Sequence, residues 1–235
     1  MSFVINPYRF GGGGGAGIPT AADLLAYWAL DNRLDSHTGG YDLTITGGIN
    51  FSAASTPPNP DAASFDTGIS LSATDAALPL PTGAQTFAAW VRSTNLANNQ
   101  DIMTCWDTVG DRAFLLRFVG STNKFNFRIS STGSDSITID STTSLVVSTW
   151  THVCAVFVPS TSITIYVDGV ADGTNTTSIP ASVNDSADAF VMGNRTVGGT
   201  SSFWSGQIDE ACIFDKALSA DEVAWLAGDK FYADL

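Results

Sequence analysis

Two histidines, three cysteines and 23 acidic side chains are the groups through which this chain could do chemistry. Nucleophilic catalysis by serine or cysteine needs a base, normally histidine, held against the nucleophile. His37 sits in an Asp-Ser-His-Thr-Gly-Gly loop and reads as solvated, whereas His152 lies within the apolar run THVCAVFV and reads as a hydrogen-bonded structural residue. Cys105, Cys154 and Cys212 fall in apolar stretches, are odd in number and show no C-x-x-C spacing. They are expected as small buried thiols, not as a zinc or redox centre. Only two of the acids, Glu210 and Glu222, are glutamates, and aspartate suits turns and loops because its short side chain competes for nearby backbone groups.

The formal charge of −13, from ten Lys plus Arg against 23 Asp plus Glu, would repel phosphate backbones and anionic lipid. Nucleic acid is therefore not expected as a partner. No apolar run approaches the roughly 18 residues of a membrane span, and membrane insertion is not expected either. With 44% hydrophobic residues, the 235-residue chain can bury one substantial core.

The elements that must position these groups are strands. From about Thr20 onward the sequence consists of short runs with period-two alternation, rich in Val, Ile, Thr, Phe and Trp and punctuated by Gly, Asn, Asp, Ser and Pro. Strands are predicted at Leu25–Leu30, Gln85–Ser93, Ala113–Val119, Lys124–Ser130, Trp150–Val158, Ser162–Val167 and Gln207–Phe214. In SITIYVDGVADG, Ile163, Ile165 and Val167 share one face, and Asp168-Gly169 supplies a tight turn, so a hairpin is expected. LSADEVAWLAG reads as a short helix: Ser219 and Glu222 form a capping box, Gly228 can close the last turn, and Val223, Leu226 and Ala227 would face the sheets.

Before the strands, MSFVINPYRF is followed by GGGGGAG. The glycines are expected to form a tether over residues 11–19, leaving residues 1–10 as a separate arm and 20–235 as the folded domain. Phe3, Val4, Ile5, Pro7, Tyr8 and Phe10 give the arm an apolar docking character. Arg9 follows the apolar residues instead of preceding them, so the segment does not read as a secretory signal, and synthesis in a host cytoplasm is expected.

Four stretches in order, YWALDNRLDSHTGGYDLTITGG, QTFAAWVRS, WTHVCAVFVPSTSITIYVDGV and GQIDEACIFDKALSADEVAWL, resemble the laminin G-like branch of the concanavalin A-like lectin and glucanase superfamily. The resemblance spans about residues 25 to 228. It departs from the family at Ala211-Cys212, where a larger aliphatic and a basic residue are more usual. The fold implied is all-β: a two-sheet antiparallel jelly-roll sandwich, concanavalin A-like, with one short C-terminal helix and an extended N-terminal arm.

The superfamily's glucanases carry closely spaced acids in a pattern like E-x-D-x-x-E, because glycoside hydrolysis uses two carboxylates across the bond. No such pattern stands here, so an enzyme is not expected. No cofactor is expected; calcium is the one that the resemblance admits, with Asp31, Asp35 and Asp209 as candidate ligands, and the alternative is that Asp209 is a buried carboxylate satisfied by backbone N–H groups. Trp28, Trp90 and Trp150 lie in strands and are expected to pack, whereas Trp106 and Trp204, in CWDTVGD and SSFWSG, are candidates for glycan contact.

Laminin G-like sandwiches act in adhesion, glycan binding and display outside cells. A chain without an export signal reaches that setting when it is built into a bacteriophage particle and released by lysis. The leading expectation is a non-enzymatic virion structural protein, a capsid decoration or tail-fibre component at the virion surface. It would be attached to other capsid or tail proteins through its arm, would contact host or environmental glycans, and would form a homo-oligomer such as a trimer. The alternatives are a free carbohydrate-binding, lectin-like module and, third, a glycoside hydrolase.

Overall fold

Side-chain alternation decides where the long strands lie, and the computed structural model places them within a residue or two of expectation. It describes residues 19–20, 22–30, 41–51, 61–106, 109–197 and 200–228. The docking arm at 1–10, the tether at 11–19 apart from Pro19, and Asp31, Asp35 and His37 lie outside the described residues.

In chain order the strands are β1 (Leu24–Trp28), β2 (Thr44–Thr46), β3 (Ala63–Phe65), β4 (Ser70–Ala73), β5 (Gln85–Ser93) and β6 (Gln100–Cys105). Next come β7 (Phe114–Val119), β8 (Lys124–Ile129), β9 (Ile137–Ser144), β10 (Thr151–Val158), β11 (Ser162–Val167) and β12 (Val170–Asn175). The last are β13 (Phe190–Met192), β14 (Thr196–Val197), β15 (Thr200–Ser201) and β16 (Gly206–Phe214), followed by helix α1 (Ala220–Ala227).

Two seven-stranded antiparallel sheets form the jelly-roll sandwich. One runs β1-β16-β5-β10-β11-β12, with β3 paired to the first half of β16 beyond the end of β1; the other runs β2-β4-β13-β6-β7-β8-β9. The hairpin at Asp168-Gly169 forms as expected, with Val167 opposite Val170 and both turn residues at positive φ, +49° and +79°. Gly169 also lets α1 approach, since a Cβ there would come 3.0 Å from Ala224 Cα.

The core lies between the sheets. Phe87 of β5 stacks on Phe114 of β7 with ring centroids 4.0 Å apart, and Trp28 of β1 stacks on Phe190 of β13 at 5.4 Å. All four rings are buried, each contributing about 1.5–3 kcal/mol by the area it removes from water. Ile163, Ile165 and Val167 join this core, while Tyr166 turns to the opposite face, as alternation requires.

A second apolar cluster covers the outer face of the first sheet. Val223 and Leu226 of α1 pack there with Leu218, Tyr166, Cys154, Cys212 and Phe214. The capping box is present: Ser219 Oγ accepts the Glu222 N–H at 3.3 Å, and Glu222 Oε2 accepts the Ser219 N–H at 2.8 Å. Lys216 braces it, reaching Glu222 at 2.7 Å and Asp23 at 3.3 Å. Gly228 ends the helix in an extended conformation, with φ −75°, rather than in a left-handed one. Among the described residues no helix is long and apolar enough to cross a membrane.

Candidate functional site

At one end of the sandwich, the loop from β5 to β6 meets the segment that leads into β16. Between them lies a cleft of about 350 Å³ lined by Thr67, Asn95, Asn98, Asn99, Gln100, Ser202, Phe203 and Ser205. The loop forms because Asn95 Oδ1 accepts the Ala97 N–H at 2.9 Å, an Asx turn that bends the chain. It meets Ser205 because β5 pairs with β16, setting Ser93 opposite Gly206. Thr94 N–H then donates to Ser205 O at 2.8 Å, and Ser93 Oγ to the same oxygen at 3.2 Å.

Gln100 fastens the floor. It is buried, its side-chain carbonyl accepts the Ser205 N–H at 2.8 Å and the Ser93 hydroxyl at 3.2 Å, and its side-chain N–H donates to Asn95 O. From the far side the loop rests on the β7–β8 turn. Gly120 N–H donates to Asn99 Oδ1 at 3.2 Å, and a Cβ on Gly120 would sit 2.7 Å from the carbonyl carbon of Asn98.

Four amide side chains, three hydroxyls and one half-buried ring make up the lining, without a charged group among the described residues. Gln100 is spent on the floor and the Oδ1 atoms of Asn95 and Asn99 are taken, which leaves the Asn98 amide and the Nδ2 groups of Asn95 and Asn99 to meet sugar hydroxyls, while a ring face takes the apolar C–H face of a pyranose. The Asn98 side chain makes no protein hydrogen bond among the described residues and stands exposed at the rim.

The residues singled out from sequence fall elsewhere. Trp204 is fully buried in the inter-sheet core, with its indole N–H on Gln207 O at 3.1 Å, so it presents no face to a sugar. Alternation instead sends its neighbours Phe203 and Ser205 into the cleft, one residue away from the expected aromatic. Trp106 is 4% exposed, with the Arg112 guanidinium 5.5 Å from its ring centroid; a cation over a covered ring likewise replaces the expected sugar platform. Trp28 and Trp90 are buried as expected, and Trp150 is half-buried at the start of β10.

Asp209 is fully buried opposite Trp90, and its Oδ1 accepts the Glu210 N–H at 3.0 Å. Both acids reach the outer face because Glu210, at φ +49°, forms a bulge between Asp209 and Cys212. Tyr27 hydroxyl donates to Glu210 Oε2. Calcium takes six or more oxygens, and of its three candidate ligands only Asp209 is described; no group of three metal-binding side chains occurs among the described residues.

His152 corrects a second expectation. It is buried with its ring edge-on to Trp90 at 5.5 Å, and its Nδ1 finds no partner, so packing holds it rather than a ring hydrogen bond. Burial pushes its pKa down to about 3. Cys105, Cys154 and Cys212 are free and buried as expected. Burial raises all three thiols, Cys105 to about 12, which leaves none of them as a nucleophile.

Comparison with known proteins agrees with this geometry. Residues 61–224 match a laminin G family model described as the concanavalin A-like lectin/glucanases superfamily. No curated protein matches the sequence significantly. Among solved structures, the chain is similar to domain 4 of AbnA, a GH43 extracellular arabinanase from Geobacillus stearothermophilus, in complex with arabinotriose. The TM-score is 0.70 at 21% identity, covering 88% of this chain and 98% of that one. It is also similar to the binding domain of botulinum neurotoxin DC in complex with SialylT, with TM-score 0.63 and 14% identity over 87% of this chain and 50% of that one. A SAP-like pentraxin from Limulus polyphemus follows at TM-score 0.55 and 20% identity, covering 78% and 82%. At these identities the likeness is one of fold.

Proposed function

We propose, from the premise that this chain belongs to the concanavalin A-like lectin/glucanase superfamily, that it is a non-enzymatic carbohydrate-binding module whose site is the cleft around Phe203. The observation that carries this reading is the lining: amides and hydroxyls beside one ring, with no carboxylate among the described residues to act as acid, base or nucleophile on a glycosidic bond. Two similar folds were solved with saccharides, arabinotriose and SialylT, which supports the ligand class. Calorimetric titration of the full chain with neutral oligosaccharides, guided by a glycan array, tests it. Heat that disappears in Phe203→Ala supports the reading, and silence across the array overturns it.

The wider setting we propose is display on a bacteriophage particle. Its support is the sequence of residues 1–10, apolar and set behind a glycine run, together with a domain type suited to adhesion. In this reading the arm grips a capsid or tail protein, copies assemble symmetrically as a trimer, and the sandwich faces the host or its surroundings. Deleting residues 1–10 should abolish particle incorporation while the sandwich still folds and binds its glycan. Normal incorporation of the deletion variant would overturn attachment through the arm. Calcium at Asp31, Asp35 and Asp209 is likewise a proposal, tested by titrating chelator-treated protein; absence of heat and of a Tm change removes it.

A further inference from the structure

A protein of net charge −13 brings four of its ten basic side chains within electrostatic reach of one another: Arg117 of β7 and Arg128 of β8, with Arg112 and Arg195 from the flanking loops. Arg117 of β7 and Arg128 of β8 lean on one atom: the Arg117 and Arg128 Nε–H groups donate to Asn126 Oδ1 at 3.2 Å and 2.8 Å. Asn126 is itself fixed, because its Nδ2 donates to Asp140 Oδ1 at 2.6 Å and to Thr138 Oγ1 at 2.8 Å. Asn126 is 2% exposed, so two guanidiniums are aimed by a buried amide that cannot swing away.

Within the described residues, neither guanidinium forms an ion pair, and their terminal nitrogens donate to no protein acceptor. The nearest carboxylates are engaged: Asp101, opposite Arg117 across β6 and β7, holds Arg195 at 2.7 Å, and Asp140 holds Asn126. Arg117 is 9% exposed; burial and the neighbouring Arg128 and Arg195 disfavour its charged form, against the partial support of Asp101 and Asp140. Two positions along β7, Leu115 pairs with Thr104 of β6 on one side and with Arg128 of β8 on the other; Thr104 is 1% exposed and its hydroxyl has no partner among the described residues. Two guanidiniums aligned on one amide, without an ion-pair partner among the described residues, form an arrangement suited to an anion bearing oxygen acceptors.

We propose that this arginine pair is a second site, separate from the Phe203 cleft, which takes the carboxylate of an acidic sugar terminating an otherwise neutral oligosaccharide. The saccharide part of this assignment rests on the reading of the chain as a carbohydrate-binding module; the carboxylate part rests on the arginine pair alone. A polyanion is disfavoured because the acidic molecule as a whole repels it, whereas a single charge meets only the local field. Planar guanidinium donors fit the two oxygens of a carboxylate side by side.

Titration of the full chain with sialyllactose against lactose, and with cellobiouronic acid against cellobiose, tests the site. The acidic member of a pair should bind at least about tenfold more tightly, and Arg128→Gln should remove that advantage. Phe203→Ala should abolish lactose and cellobiose binding at the cleft while sialyllactose and cellobiouronic acid still bind at the arginine pair, which separates failure of the cleft from failure of this site. Circular dichroism and Tm of Arg128→Gln, whose side chain is half-exposed, check that the fold survives; Arg128→Lys, which retains charge but not the planar fork, should recover only part of the affinity. Equal binding of acidic and neutral members overturns the proposal. So does inorganic sulfate displacing sialyllactose at equal concentration, which would mark the arginine pair as a general anion site without a saccharide role.

Discussion

The side-chain carbonyl of Gln100 accepts the backbone N–H of Ser205 at 2.8 Å, so a single buried amide joins the two loops that form the cleft. The loops come from distant segments, and that bond adds a side-chain tie to the Thr94 and Ser93 donors on Ser205 O.

Gln100→Ala should therefore act on both stability and binding. It leaves the Ser205 N–H without its acceptor, which costs about 1–3 kcal/mol, while the Ser93 hydroxyl keeps Asn95 O at 2.8 Å. Saccharide affinity should fall at least about tenfold as the loops separate. Urea unfolding and titration calorimetry on one preparation check this; a variant with lost stability and full affinity would show that Gln100 does not set the cleft.

Phe203 and Trp204 should separate by property. Phe203→Ala removes a half-buried ring from the cleft, so affinity should drop with little change in Tm. Trp204→Ala empties a fully buried position and should cost about 3–5 kcal/mol, visible in the denaturation midpoint. If Trp204→Phe lost affinity while stability held, the indole would be a ligand contact after all.

Gly120→Ala tests the support beneath the loop. The new Cβ would sit 2.7 Å from Asn98 C and 2.8 Å from Ala97 O, both backbone atoms that cannot rotate aside. The Asn95–Asn99 segment must shift, and affinity should fall by about tenfold or more with the β-sheet circular dichroism spectrum retained. Unchanged affinity would mean that the loop adjusts without moving its amides.

His152 predicts an acid limb. Its folded pKa is about 3, lowered by burial, against about 6.5 in the unfolded chain. Between those values the unfolded state binds a proton that the folded state refuses, so stability is complete above about pH 6.5 and falls as pH drops towards 3. The loss is on the order of 5 kcal/mol across the window. His152→Gln should flatten the fall in urea midpoints between about pH 7 and about pH 4. Parallel curves for the two proteins would assign the acid limb to carboxylates such as Glu222, lowered by Lys216 and Ser219 against the effect of burial.

Much of the fold could be read from alternation, and the reasons it stopped short are physical. QTFAAWVRS, WTHVCAVFV and SITIYV are long enough to show period two beside clear turns; they became β5 and β11 at those limits and β10 one residue later at its start. Strands such as Thr44–Thr46, Ala63–Phe65 and Phe190–Met192 span three residues, too few to display a period, and exist because a neighbour offers hydrogen bonds. QDIMTC was hidden by the register shift between Asp101 and Met103, and ITIDSTTS by a hydroxyl-rich composition that reads as loop. The cleft was harder still. NLANNQ carries a local signal, a dense and uncharged amide run, but its meeting with Phe203 depends on β5 pairing with β16, which no short stretch reveals.

Cys154 and Cys212 lie beneath α1 on the outside of one sheet, whereas Cys105 lies between the sheets, where its thiol donates to Asp188 O at 3.0 Å. The three sulfurs thus sit in two different compartments of the molecule. A thiol reagent applied to the unaltered chain would mark the first two when the helix lifts and the third when the sandwich parts, so the order of labelling becomes a built-in clock that times the two openings separately.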